Sequence, residues 1–452
     1  MTTRKEELVA KDKRFLWHPF TQMRDWLADE PLVIERADSN HLIDVDGNRY
    51  LDGVSSLWVS VHGHRKAEID AAIRAQLDRV AHTTLLGLAN IPAIELAERL
   101  VDLAPAGLAK VFYSDSGSAA VEVALKMAYQ YWCHRGRPEK KRFLALAEAY
   151  HGDTLGAVSV GGIDLFHRLF HPLLFDVLRA PTPYWYRCEA APDPVSCREL
   201  CLTSLERTLE AHEHELAAFV VEPVMQGAAG MIAQPQGYLA RAAALCREHD
   251  VLLIADEVAT GFGRTGTLFA CEQEGVSPDL LCVAKGLTGG YLPLAATLAS
   301  DPIYQQFLGN YSEQKSFFHG HSYTGNPLAC AAALASLDVF AQDHVLDRLP
   351  AKIELLSGEL EERVAPLAHV GQVRQRGLMV GIELVADRGT KAPYPWDAAV
   401  GARVCAAVRR HGVILRPLGP VVVLMPPLSI TGEELRTLVD ATRRAILEVC
   451  GE

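Results

Sequence analysis

Four short apolar runs, each closing on a polar residue and a turn, constrain this chain more than any other feature. They are FLALAEAYHG, LAAFVVEPVMQG, VLLIADEVATG and LLCVAKGLTGG. A strand that is apolar on both faces has to be covered on both faces. Such runs, separated by helical stretches, therefore predict an α/β fold with a mainly parallel central sheet. A similar unit precedes them. LAKVFYSDSGSAAVEVALKMAYQYW reads as strand, turn and helix, and Val121, Leu125, Ala128 and Trp132 share one helical face. Upstream, PLVIERADSNHLIDVDGNRYLDG alternates apolar and polar residues around a DG turn, as a meander of hairpin strands does. Near residue 330 the pattern shifts again, and NPLACAAALASLDVFAQ begins a long helix. These changes divide the chain into an N-terminal arm with strands (1–64, part of a small domain), a large domain (65–334) and a C-terminal small α+β domain (335–452).

Composition removes several classes of function. With 452 residues, 49% of them hydrophobic, the chain can bury more than one core. Its net charge of −12 and the lack of a basic stripe argue against nucleic acid as a partner. The densest basic run, RGRPEKKR at Arg135–Arg142, reads as a solvated loop after a helix. MTTRKEELVAKDKRF lacks the apolar centre of a secretory signal, and no run of about 18 apolar residues predicts a membrane span. Ten cysteines without a CxxC pair fit the reduced thiols of a cytoplasmic protein. The tightest group, Cys188, Cys197 and Cys201, matches no standard zinc spacing even with His212 or His214 added, so no metal is expected.

Ligands of open α/β sheets gather at the carboxyl ends of the strands. Here those ends carry Ser116-Gly117-Ser118, Tyr150-His151-Gly152, Glu222, Asp256-Glu257 and Lys285. Gly117 and Ser118 stand where a helix begins. Free N–H groups and the helix dipole make such a turn either a phosphate site or a plain Ser/Asp cap. Asp256 follows five apolar residues and needs a cationic or N–H partner, either an arginine such as Arg264 or a protonated ring nitrogen. A lone lysine at a sheet edge usually snorkels to water. Desolvated among polar groups, Lys285 instead becomes an amine nucleophile. A lysine, a carboxylate, a stacking aromatic and a phosphate turn are together what pyridoxal 5'-phosphate requires.

The motifs DSGSAAVEVALK, YHGDTLGA, VVEPVMQG, LIADEVATGFGRTG, VAKGLTGGYLPLAA, HGHSYTGNPLACAAA and ILRPLG resemble class III aminotransferases of pyridoxal phosphate fold type I over essentially the whole chain. The resemblance implies that Lys285 carries the cofactor, Asp256 partners its pyridinium nitrogen, Tyr150 stacks on its ring, and Gly117 and Ser118 hold its phosphate. It further implies that Ser322 reaches the phosphate of a neighbouring subunit, hence a homodimer with shared active sites. Arg416 is implied as the receiver of a substrate carboxylate, as a guanidinium fork suits. Asp153 and Trp58 are implied on the substrate side, with Phe20 in the same pocket. Glu222 stands where the class has a carboxylate that pairs with the substrate arginine.

Within the class, WHPFTQM, SGSAAVEVALKMAYQYW, ADEVATGFGRTG and LMPP are similar to the biotin-pathway branch. That likeness implies amination of 8-amino-7-oxononanoate to 7,8-diaminononanoate, with S-adenosylmethionine or lysine as donor. Phe20, Leu57 and Val423 depart from the aromatic residues of the S-adenosylmethionine-using pattern, and a sulfonium gains from aromatic walls. The alternative is an omega-aminotransferase acting on a diamine, taurine or β-alanine.

Overall fold

In the computed structural model, which describes residues 3–451, the four apolar runs lie side by side in one seven-stranded sheet. Its order is Leu108–Ser114, Ala295–Ser300, Leu280–Val283, Leu252–Asp256, Leu216–Val221, Arg142–Leu146, Val177–Ala180. Every strand of the Leu216–Val221, Leu252–Asp256 and Leu280–Val283 trio is buried along its full length. All strands are parallel except Ala295–Ser300, which runs antiparallel to both neighbours. The short link from Val283 to Ala295 explains that exception, because a parallel return needs a crossover of a dozen or more residues.

The Gly117–His134 helix covers one face with the predicted residues. Val121, Leu125, Ala128 and Trp132 are buried, and Trp132 Nε1 donates to Ala217 O (2.9 Å). Ile34–Asp38, His41–Asp44 and Arg49–Asp52 form the expected antiparallel meander. Its last strand pairs in parallel with Val413–Ile414, so the two ends of the chain meet in one sheet. A separate antiparallel sheet follows the order Val370–Arg376, Met379–Leu384, Val421–Leu424, Arg416–Leu418.

Two local readings change. Arg4–Phe15 is a helix, started by a Thr3/Glu6 capping box that the charged composition hid. In the run expected to be a solvated loop, Lys140 is fully buried. Its amine bonds Asp250 O and sits 4.2 Å from the centroid of the Trp132 ring. Cys197 and Cys201 are core residues of the Pro194–His212 helix, while His212 Nδ1 bonds Glu215 Oε1 (2.7 Å).

The C-terminal sheet is anchored to the large sheet's loops by buried charge. Arg374, 5% exposed, pairs with Glu383 across adjacent strands. It also donates to Gly230 O (2.6 Å from Nη2) and Met231 O (3.0 Å from Nε), and Glu383 takes Arg187 Nη2 at 2.5 Å. Breaking a buried pair leaves an uncompensated charge and costs about 3–5 kcal/mol. Arg374→Met is therefore expected to lower the urea midpoint by a stability loss of that size; an unchanged midpoint would show that the pair does not carry the junction.

Candidate active site

The carboxyl rim of the large sheet opens into a cavity of about 370 Å³. Gly117, Ser118, Tyr150, Asp256, Lys285 and Trp58 all line it. Adjacent strands bring the two charged residues together: Asp256 lies opposite Cys282 in the register, three residues before Lys285.

Lys285 begins a tight turn with left-handed backbone (φ 44°), followed by Gly289 and Gly290 at φ 64° and 89°. Burial pushes its amine below the ordinary lysine range, against the pull of Asp256 and Glu222. Its Nζ makes no hydrogen bond among the described residues and lies 5.8 Å from the centroid of the Trp58 ring. An amine so placed suits a nucleophile better than a snorkelling cation.

Asp256 is buried and does not pair with Arg264. His151 Nδ1–H donates to its Oδ2 (2.7 Å) and the Val258 N–H to its Oδ1 (3.0 Å). Arg264 instead spends its donors on Ser55 Oγ, Pro426 O and Ser60 O. His151 was legible only as the middle of YHG. What reveals its role is that it projects across two strands onto Asp256, 105 positions away.

Tyr150 donates its hydroxyl to Asp153 Oδ2 (2.8 Å), and the Asp153 N–H donates to Ser118 Oγ (3.1 Å). The YHGD turn is thereby laced to the helix start. Ser116 caps that 18-residue helix through Ala119 N (3.2 Å), and α-helical geometry leaves the N–H groups of Gly117 and Ser118 without intrahelical acceptors. A Cβ on Gly152 would lie 2.0 Å from Ser118 Oγ, and one on Gly117 2.6 Å from Val258 Cγ1, so both positions need a bare backbone.

Glu222 behaves differently from the sequence reading. It does not pair with Arg416; its Oε1 accepts from Tyr150 N–H (3.0 Å) and its Oε2 from Gly227 N–H (2.8 Å). Burial, reinforced by Asp256, pushes its pKa up to about 7. Arg416 is half-buried near Tyr150, with no hydrogen bond or ion pair to its guanidinium among the described residues, and burial lowers its pKa. Phe20 is 56% exposed and outside the cavity; it packs on Phe166, which lies 5.4 Å from Phe20 and 6.3 Å from the cavity residue Tyr150 between ring centroids. Ser322 is also outside. It is exposed beside an apolar groove, its carbonyl accepting from His82 Nε2 (2.8 Å).

These residues fit pyridoxal phosphate. A helix start with bare glycine backbone suits the phosphate, a buried carboxylate backed by histidine suits a protonated ring nitrogen, and a free desolvated amine suits the carbonyl. The comparisons agree. The model of the family "Aminotransferase class-III" matches residues 24–446. An adenosylmethionine-8-amino-7-oxononanoate aminotransferase of Nitratidesulfovibrio vulgaris is 59% identical, covering 99% of this chain and 83% of that one. The crystal structure of the protein of that name from Methanocaldococcus jannaschii superposes with a TM-score of 0.93 at 48% identity, over 98% of this chain and 99% of that one. An (S)-enantioselective omega-transaminase from Thermomicrobium roseum gives 0.95 at 38% identity, over 99% and 100%. The chain belongs to the class III aminotransferases, pyridoxal-phosphate-dependent transaminases of fold type I.

The raised pKa of Glu222 has a measurable sign. Unfolded, the group ionises near 4.5; folded, near 7. The stability it lends is whole below pH 4.5 and is lost as pH rises to about 7. Glu222→Gln removes this loss, so the cofactor-free variant should lose less stability between pH 5 and pH 8 than the parent in paired urea titrations. Glu257, also pushed to about 7, keeps its own contribution in both proteins. Identical pH dependence in the two would contradict the assignment.

Proposed function

We propose that this protein aminates 8-amino-7-oxononanoate to 7,8-diaminononanoate on pyridoxal 5'-phosphate, in the biotin pathway, with S-adenosylmethionine or lysine as amino donor. The observation that carries the reading is Arg416, a half-buried guanidinium without a carboxylate partner among the described residues, beside Tyr150. It suits the terminal carboxylate of an oxo acid. The names of the full-length relatives supply the identity of that acid.

When bound, the cofactor supplies an electron sink at the substrate α-carbon and carries the amino group from donor to acceptor. The residues of the chain do the rest. The Lys285 amine would hold the cofactor and would move the proton at the substrate α-carbon. Asp256 keeps the ring nitrogen protonated, and His151 holds the carboxylate in place. Tyr150 orients the ring. The Gly117 and Ser118 N–H groups bind the phosphate. Arg416 orients the acceptor so that its ketone faces Lys285. Trp58 lines the cavity, Asp153 takes the hydroxyl of Tyr150 at its edge, and Phe20 packs on Phe166, which neighbours Tyr150.

Ser322 supports a homodimer. It lies on a groove of about 1210 Å³ lined by Leu85, Leu86, Ile94, Phe317 and Phe318, of which Leu86 is 90% and Phe318 79% exposed. A second copy would cover that surface and bring Ser322 to a neighbouring phosphate. Sedimentation should give a dimer, and Ser322→Ala should weaken cofactor retention on dialysis; a fully active monomer would exclude this arrangement.

An omega-aminotransferase is the second reading, favoured by the omega-transaminase neighbour at TM-score 0.95. Leu57 is 45% exposed, and Val423, on an inner strand, is fully buried; neither adds an aromatic wall for a sulfonium. Paired assays with 8-amino-7-oxononanoate and pyruvate as acceptors separate the readings. Run against S-adenosylmethionine and lysine, the same assays identify the donor. Turnover of the oxononanoate at least about tenfold above pyruvate in kcat/KM is expected, and the reverse preference would overturn the proposal. Asp256→Asn should retain cofactor yet lose activity by orders of magnitude; a near-normal rate would remove its role.

A further inference from the structure

The most contorted backbone beside the cavity is Ser55–Trp58. Ser55, Ser56 and Trp58 are all left-handed, at φ 51°, 61° and 63°, and none is glycine. Such residues persist only where their surroundings over-determine them. Two buried charges provide that here. Asp52 Oδ1 accepts from the Ser56 N–H (2.8 Å), and its Oδ2 from Ser56 Oγ (3.1 Å) and His64 Nε2 (3.0 Å). Arg264, 1% exposed, donates from Nη1 to Ser55 Oγ (3.1 Å) and Pro426 O (2.7 Å), and from Nη2 to Ser60 O (2.8 Å). The Ser55 hydroxyl donates to Met425 O (2.6 Å). The far end of the segment is pressed on the lysine turn: a Cβ on Gly290 would lie 2.9 Å from the Ser60 nitrogen and the Val59 carbonyl.

The contortion turns one side chain inward. Trp58 lines the cavity, 6% exposed, with its ring centroid 5.8 Å from Lys285 Nζ. Its Cζ3 lies 3.5 Å from where a Cβ on Gly227 would be, beside the N–H that holds Glu222. The buried indole N–H has no acceptor among the described residues. Neither Asp52 nor Arg264 lines the cavity.

We propose that Asp52 and Arg264 are positioning residues for the acceptor site: together they hold the left-handed Ser55–Trp58 turn that sets the Trp58 indole against the bound acceptor. The inference rests on the transaminase reading above. It assigns to Arg264 a purpose other than pairing Asp256, and to a carboxylate remote from the chemistry an effect on acceptor affinity.

A double-mutant cycle on the holoenzyme tests this, with 8-amino-7-oxononanoate as acceptor. Asp52→Asn and Arg264→Lys should each raise the acceptor KM by about fivefold, the size of one lost hydrogen bond, with kcat within about twofold. The visible absorbance of bound cofactor should be retained. In a Trp58→Ala background the same substitutions should leave KM unchanged within about 1.5-fold, because the side chain they position is gone. If Asp52→Asn does not fold, Ser56→Ala deletes the Oγ donor while leaving both charges, and carries the same expectation. An equal rise in KM with and without Trp58, or no rise in either background, overturns the proposal. A parent enzyme that refuses 8-amino-7-oxononanoate contradicts the functional reading instead, and the cycle is then read with pyruvate.

Discussion

Two ionisable residues at the ends of neighbouring buried strands set the terms for the rest of the molecule. Asp256 and Lys285 close the Leu252–Asp256 and Leu280–Val283 strands, which are paired in parallel. Neither charge is affordable in an apolar sheet without partners or a shifted pKa. Asp256 has partners, an imidazole and a backbone N–H. Lys285 is left as a free amine, lowered by burial and raised only in part by the carboxylates around it. The parallel order makes the arrangement possible, since it places the carboxyl ends of successive strands, and the turns after them, on one rim.

The second contribution comes from the two ends of the chain. Arg49–Asp52 pairs with Val413–Ile414, with Asp52 opposite Ile414. Trp58 follows the first strand by six residues and Arg416 the second by two. One short parallel contact therefore delivers both an indole at the cavity wall and a guanidinium beside Tyr150. The turn that aims the indole is held by Asp52 from that strand and by Arg264 from the loop after Asp256. The chemistry at the sheet rim and the pocket wall thus share supports, although the residues that perform them are far apart in sequence.

Much of this was legible in the chain because it is local. Apolar runs of strand length, a glycine-serine helix start and a lysine after LLCVA each carry their meaning within a few residues. What depended on distant segments was not legible. The partner of Asp256 was open between an arginine and a ring nitrogen; Arg264 turns elsewhere, and His151 backs the carboxylate from another strand end. Glu222 was read against Arg416, yet two nearer N–H groups take both its oxygens. Lys140 looked solvated in a basic run, because nothing local shows that Trp132 and Asp250 fold over it. The reversed Ala295–Ser300 strand follows from a link too short for a crossover, but its apolar composition matches that of its parallel neighbours.

Three lysines among the described residues have amines lowered by burial: Lys285 at the rim, Lys140, pushed to about 8, beside Asp250 at the opposite end of the sheet, and Lys352, whose amine donates to Leu428 O (2.6 Å). Depressed basicity alone therefore does not choose the residue that holds the cofactor; the cavity does. Borohydride reduction of the holoenzyme, followed by peptide mapping with mass spectrometry, should place the phosphopyridoxyl group on Lys285 alone. A label on Lys140, or on any lysine outside the cavity, would contradict the account.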